Sequence, residues 1–167
     1  MTSISSLANV HSLGKFGDHE EKKEENLLKI SEIKNLLIAQ IVQYKNSSIS
    51  LEKINVDKLN LKNEPLEVVC NDDTRILWNG PNNWLVISTK KNLINDIDTI
   101  FPKTEFAITD LSHSRAIIEI EGKNTLEVLK KGCPFEFNIL KKNNSINSTF
   151  NNIAFTVDML NDNPNKV

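Results

Sequence analysis

Cysteine is scarce in this chain. Cys70 and Cys133 are its two cysteines, far apart and outside any Cys-x-x-Cys spacing, which excludes a disulfide framework and a cysteine-built zinc site and fits a reducing cytoplasm. An excess of one charge is also missing. Lys and Arg number 20 against 22 Asp and Glu, for a formal charge of -2, so no global field gathers polyanions and nucleic-acid binding by bulk charge is excluded. No stretch approaches the roughly 18 apolar residues of a membrane helix, and the first ten residues lack the basic and apolar regions of a secretory signal. The phosphate-cradling Gly-x-x-x-x-Gly-Lys loop, Gly-x-Gly-x-x-Gly and His-Glu-x-x-His are all absent, so no catalytic, cofactor-binding or metal-ligating set is expected in this chain.

What is present suffices for a globular protein. The 167 residues are 39% hydrophobic and 25% charged, the size and composition of one cored domain. Residues 1–26, with His11 and the charged run 20–25, show little apolar periodicity and read as an arm. Residues 27–160 read as a single α+β domain, and residues 161–167 as a polar tail.

Within that domain the segment 30–44 fits helical and alternating patterns alike; its Ile and Val content and the turn-like 45–48 favour a strand over 36–43. A short helix capped by Ser50 should follow. Three strands are expected at 66–70, 74–78 and 84–88, separated by turn-forming Asn, Asp, Gly and Pro, which makes an antiparallel meander. Leu93, Ile94, Ile97 and Ile100 share one helical face ahead of Pro102. Strands at 105–111 and 114–121 and a helix from Leu126 follow, with Gly132 closing that helix in the left-handed conformation. A last apolar stretch covers 153–157. The pattern is an α+β fold, a mixed or antiparallel sheet with helices on one face.

Three strings carry chemical information. Trp78 and Trp84 flank Gly80 and Pro81, either as indoles filling the core of a hairpin or as walls of a flat ligand pocket. Asp110, Ser112, His113 and Arg115 gather an acid, a hydroxyl, an imidazole and a guanidinium within six residues. As a Ser-His-Asp set their spacing is wrong, because neighbours on an extended chain point to opposite faces. The other reading has Asp110 and Ser112 capping a turn and Arg115 in an ion pair. Gly132, Cys133 and Pro134 follow Lys130 and Lys131, where a buried thiol and a helix stop compete with a lysine-assisted thiolate.

In this order and spacing, Leu77 to Leu85, Asp110 to Arg115 and Leu126 to Pro134 resemble the sarcosine oxidase gamma subunit family. The segment His11 to Gly17 is similar to the N-terminal arm of that family. The resemblance implies a fold like the folate-binding domain of aminomethyltransferases. It further implies a cytoplasmic, four-subunit flavoenzyme that demethylates sarcosine to glycine and passes the one-carbon unit to tetrahydrofolate. The implied partners are alpha, beta and delta subunits, with FAD, FMN, NAD and tetrahydrofolate on the alpha and beta chains and no catalytic residue on the gamma chain. The family continues into a further strand and an aromatic helix where this chain ends in Asn161 to Val167, so its C-terminus reads as truncated or divergent. Competing expectations are the equivalent subunit of an N-methylglutamate dehydrogenase-type complex and a free-standing folate-binding protein. Against the latter, Phe135-Glu136-Phe137 stands where a Tyr-x-Gly-Gln-Glu continuation would be expected.

Overall fold

The structure is a computed structural model that describes Leu7, Asn9, residues 12–17, Lys23 and residues 26–167. His11 and most of the charged run 20–25 lie outside the described residues. In chain order the elements are β1 (Gly14–Phe16), β2 (Leu28–Ile33), β3 (Leu37–Gln43), β4 (Asn55–Val56), β5 (Leu59–Asn60), β6 (Val68–Cys70), β7 (Thr74–Gly80) and β8 (Asn83–Ser88). Then come α1 (Leu93–Ile100), β9 (Phe106–Asp110), β10 (Ile117–Glu121), α2 (Thr125–Lys130), β11 (Ser145–Phe150), β12 (Ile153–Asp158), β13 (Asn161–Asp162) and β14 (Asn165–Lys166). Every strand pair among the described residues is antiparallel, so the fold is mostly antiparallel β with two α-helices and its sheets are not mixed.

The chain forms two compact units, Asn35–Arg115 and Met1–Lys34 with Ala116–Val167. Only Lys34–Leu36 separates β2 from β3, yet the two strands belong to different sheets. Apolar periodicity reports which face of an element is buried and not which faces share a core.

In the unit Asn35–Arg115 the sheet order is β6-β7-β8-β3-β9. β3 is an interior strand, paired on both edges. Its alternate residues Leu37, Ala39 and Ile41 are buried in one cluster with Ile76, Trp84 and Val86 from the neighbouring strands, the signature of one sheet face turned inward. Leu93 and Ile97 of α1 close that cluster, and Phe101 meets Phe106 edge to face with centroids 4.9 Å apart.

Ser50 does not cap an α-helix. A three-residue 3₁₀ turn, Leu51–Lys53, stands there, and the Ser50 side chain makes no capping bond. The following Ile54 and Val56 are β-branched, extended and buried in the same cluster, which a continued helix could not satisfy. Asp57 and Lys58, both with positive φ, turn β4 into β5 in a two-residue hairpin loop.

In the other unit the sheet order is β1-β2-β10-β14-β13. Two segments read as lying outside the domain are therefore part of a sheet. Residues of the expected arm form β1 on β2, and the expected polar tail forms β13 and β14. The tail is held by groups that hydropathy does not register. Val167 and Ile120 exchange backbone hydrogen bonds of 2.9 and 3.0 Å, and the Lys166 ammonium sits 3.1 Å from Glu119 and 3.6 Å from Glu121. Helix α2 lies against β14, and β11 pairs with β12 as a separate two-stranded ribbon.

Candidate functional site

Trp78 and Trp84 stand directly opposite each other on β7 and β8, with a register shift between Trp78 and Gly80. Gly80 has φ of +148° and Asn82 of +55°, so the turn through Pro81 uses conformations that β-branched residues avoid. Trp84 is fully buried in the cluster under α1, and its Nε1 donates to the Lys62 carbonyl at 2.7 Å. Trp78 is half-buried, with its Nε1 donating to Asn63 Oδ1 at 3.1 Å.

Asn63 is the residue that sequence reasoning missed here. Its Oδ1 also accepts from the Asn82 backbone N–H at 3.1 Å, and its Nδ2 donates to Asn82 Oδ1 at 3.0 Å. Consecutive residues Lys62 and Asn63 thus hold both indoles and the turn between them. Of the two readings of this string, Trp84 takes the core one, since a fully buried indole lines no open pocket.

The string from Asp110 forms the exit from β9. The Ser112 backbone N–H donates to Asp110 Oδ1 at 2.9 Å, an Asx turn. The Ser112 hydroxyl and backbone N–H beside Asp110 hold its carboxyl below the usual carboxylate range, and the charge of His113 adds to this. Ser112 Oγ accepts from the Ile38 backbone N–H at 3.0 Å, and Ser114 Oγ donates to the Leu111 carbonyl at 3.2 Å. The Ser112 hydroxyl thus joins the Ile38 backbone and Asp110, and that of Ser114 serves the Leu111 carbonyl. Among the described residues no hydrogen bond joins His113 to either serine or to Asp110. The ion pair expected for Arg115 is not made: the side chain is exposed and has no acidic partner among the described residues.

At the end of α2, Cys133 is buried and its Sγ donates to Ser148 Oγ at 3.2 Å, while Pro134 is exposed. Gly132 is not left-handed, since the glycines with positive φ are Gly14, Gly17, Gly80 and Gly122. Glycine is needed at 132 for space. A Cβ there would lie 2.7 Å from the ring of Phe150, so the ring packs directly on the backbone, and the Gly132 carbonyl accepts from the Asn151 N–H at 3.0 Å.

A fourth constellation had no signal in the sequence. Lys90 Nζ lies 2.8 and 2.9 Å from the two Asp57 carboxylate oxygens and 3.1 Å from Asp73 Oδ2. Thr74 Oγ1 donates to Asp57 at 2.6 Å, leaving the Ser88 hydroxyl as its donor at 2.8 Å. Its members come from the β4–β5 turn, the β6–β7 turn and the entry to α1, which only the folded sheet brings together. The lysine holds both carboxyls below their usual range, and they hold its ammonium above the usual lysine value. A carboxylate with a depressed pKa stabilises the fold above its unfolded pKa, and that contribution is lost as pH falls through the folded value. We expect Asp57→Asn to lower stability at neutral pH and the gap from the parent protein to close below about pH 4. Denaturation midpoints measured at neutral and acidic pH check this; a gap unchanged by acid would show that the ion network does not support the hairpin.

Among the described residues no three His, Cys, Asp or Glu side chains gather to hold a metal ion, and no helix is long and apolar enough to cross a membrane.

No family model and no curated protein matches this sequence. Solved structures do match. One is a chain of the heterotetrameric sarcosine oxidase from Corynebacterium sp. U-96, solved in complex with pyrrole 2-carboxylate. The two chains are 20% identical and superpose with a TM-score of 0.75 over 85% of this chain and 74% of that one. At that identity the likeness is one of fold: this protein has the fold of a chain of heterotetrameric sarcosine oxidase.

Proposed function

We propose that this chain is the non-catalytic gamma-type subunit of a heterotetrameric sarcosine oxidase. The complex oxidatively demethylates sarcosine to glycine and transfers the one-carbon unit to tetrahydrofolate. The observation that carries this reading is the coincidence of two independent signs. The strings around Trp78–Trp84, Asp110–Arg115 and Gly132–Pro134 resemble the gamma family, and the fold matches a chain of such an enzyme at a TM-score of 0.75. The reading also assigns a relation to the folate-binding domain of aminomethyltransferases and a cytoplasmic location.

The geometry supports a structural role within the complex. The Ser112 hydroxyl is taken up by Ile38 and Asp110, that of Ser114 by Leu111, and the Cys133 thiol is buried. FAD, FMN, NAD and tetrahydrofolate belong in this reading to the alpha and beta chains, with a delta chain completing the assembly. This chain contributes surface and packing.

The isolated chain is accordingly expected to have no oxidase or methyltransferase activity. Purified alone and supplied with sarcosine, FAD, FMN and tetrahydrofolate, it should release no peroxide and form no folate product. Turnover by the chain alone would reject the subunit role. Saturable binding of tetrahydrofolate by the lone chain would favour the free-standing folate-binding reading instead.

A further inference from the structure

Asn63, Asn79, Asn82 and Asn83 lie around the end of the β7–β8 hairpin, and all but one are fastened. Asn63 bonds to Trp78 and to both the backbone and the side chain of Asn82, and Asn83 Oδ1 accepts from Gln40 Nε2 at 3.1 Å. The exception is Asn79, whose side-chain amide makes no hydrogen bond among the described residues. Its main chain is set apart as well. Trp78 pairs with Trp84 and Gly80 with Asn83, so Asn79 is the extra residue of a bulge, where the ladder is interrupted.

The residue after Asn79 is glycine, and no other asparagine in the chain precedes a glycine. A glycine nitrogen is the least hindered nucleophile of a main chain, because no Cβ stands beside it. Around Gly80 the space is open: apart from its chain neighbours, a Cβ there would meet only Asn83 Cβ, at 3.9 Å. Asn79 and Gly80 are half-buried, so water reaches them. Other asparagines that precede a small residue are better protected. Asn46, Asn144 and Asn147 are each followed by serine, whose Cβ hinders attack by its nitrogen. The Asn144 amide accepts from the Lys141 N–H at 3.1 Å and donates to the Asn143 carbonyl at 3.3 Å, and Asn147 Oδ1 accepts from the Thr156 hydroxyl at 2.6 Å.

We infer that Asn79 is a site of spontaneous covalent modification, losing its side-chain amide by cyclisation onto the backbone nitrogen of Gly80. That nitrogen attacks Asn79 Cγ; the new N–Cγ bond forms, the Cγ–Nδ2 bond breaks, and the proton of the attacking nitrogen leaves with Nδ2 as ammonia. Water then opens the cyclic imide at either carbonyl, returning a proton to the nitrogen and leaving a carboxylate. Opening at one carbonyl gives an aspartyl residue at position 79, and opening at the other an isoaspartyl residue. No oxidant or metal enters, and water is the one co-reactant. The isoaspartyl form lengthens the main chain by a methylene between Trp78 and Gly80 and adds a charge beside Trp78. It thereby loosens the hold of Asn63 on Trp78 and Asn82, and the modified fraction grows with the age of the molecule.

Peptide mapping by mass spectrometry tests this on the full-length folded chain, kept in neutral buffer and sampled over time. Asn79 should convert from amide to acid at least about tenfold faster than Asn46, Asn144 or Asn147, with the isoaspartyl form as the main product. Asn79→Gln, which keeps the amide but moves it a methylene farther from the Gly80 nitrogen, should remove the fast conversion. In the aged chain the Trp78 indole N–H should exchange with solvent faster than in the fresh chain, while that of Trp84 keeps its protection. If Asn79→Gln fails to fold, the time course of the unmodified chain still decides. An Asn79 that keeps its amide while Asn46, Asn144 or Asn147 converts overturns the inference. Conversion at position 79 that occurs only after the chain has been unfolded overturns it too.

Discussion

Replacing Trp84 by alanine is expected to destabilise the protein by about 3–5 kcal/mol. The indole is fully buried in the cluster that includes Ala39, Ile41, Ile76, Val86 and Ile97, and β8, which carries it, is paired on both edges. Two losses add. Truncation opens a cavity too deep in the sheet for neighbouring strands to collapse into, and it leaves the Lys62 carbonyl without the indole N–H that meets it at 2.7 Å. Trp84→Phe separates them, keeping most of the apolar volume and giving up the hydrogen bond, for a loss of about 1–2 kcal/mol plus the volume difference. Denaturant midpoints of the two variants check the account. An alanine variant as stable as its parent would show that the indole is not a core residue.

Gly122→Ala is expected to be nearly as damaging, by about 2–4 kcal/mol. Gly122 has φ of +146°, a conformation that L side chains rarely adopt. The site is also closed: a Cβ would stand 2.8 Å from the Leu27 carbonyl oxygen and 3.0 Å from Leu28 Cδ2. The first of these atoms is backbone in the chain entering β2 and cannot swing aside. Any relief must shift β2 against the β10–α2 connection, where the Gly122 N–H donates to the Asn165 carbonyl at 3.0 Å and its own carbonyl accepts from Thr125 Oγ1 at 2.8 Å. Thermal unfolding of the variant checks this; an unchanged Tm would mean that the turn adopts another conformation.

The two tests also mark what the sequence disclosed. The strand at 36–43 was legible from its Ile and Val content and the turn that follows, the strands at 74–78 and 84–88 from strand formers set between turn residues, and α1 from its apolar face, and all of them form in one unit. Gly132 was legible as a special glycine but for the wrong reason, since sequence shows that a side chain is missing and not whether φ or a neighbour such as Phe150 requires it. The β13–β14 hairpin was invisible because its stabilisation comes from backbone bonds and from Lys166 between two glutamates, none of which alters hydropathy. Asn63 and Lys90 were missed for a related cause. Their partners lie 15 or more positions away, Trp78 and Asn82 for the first and Asp57, Asp73 for the second, and only strand pairing sets those distances.

The role of the chain as a subunit is tested most directly by purifying it in full length, under native conditions, from the cells that make it, and measuring what elutes with it. The account predicts a stable assembly in fixed proportion with flavin-bearing chains, absorbing as a flavoprotein and demethylating sarcosine. A chain that elutes alone, free of flavin and of any flavin-bearing partner, would contradict it.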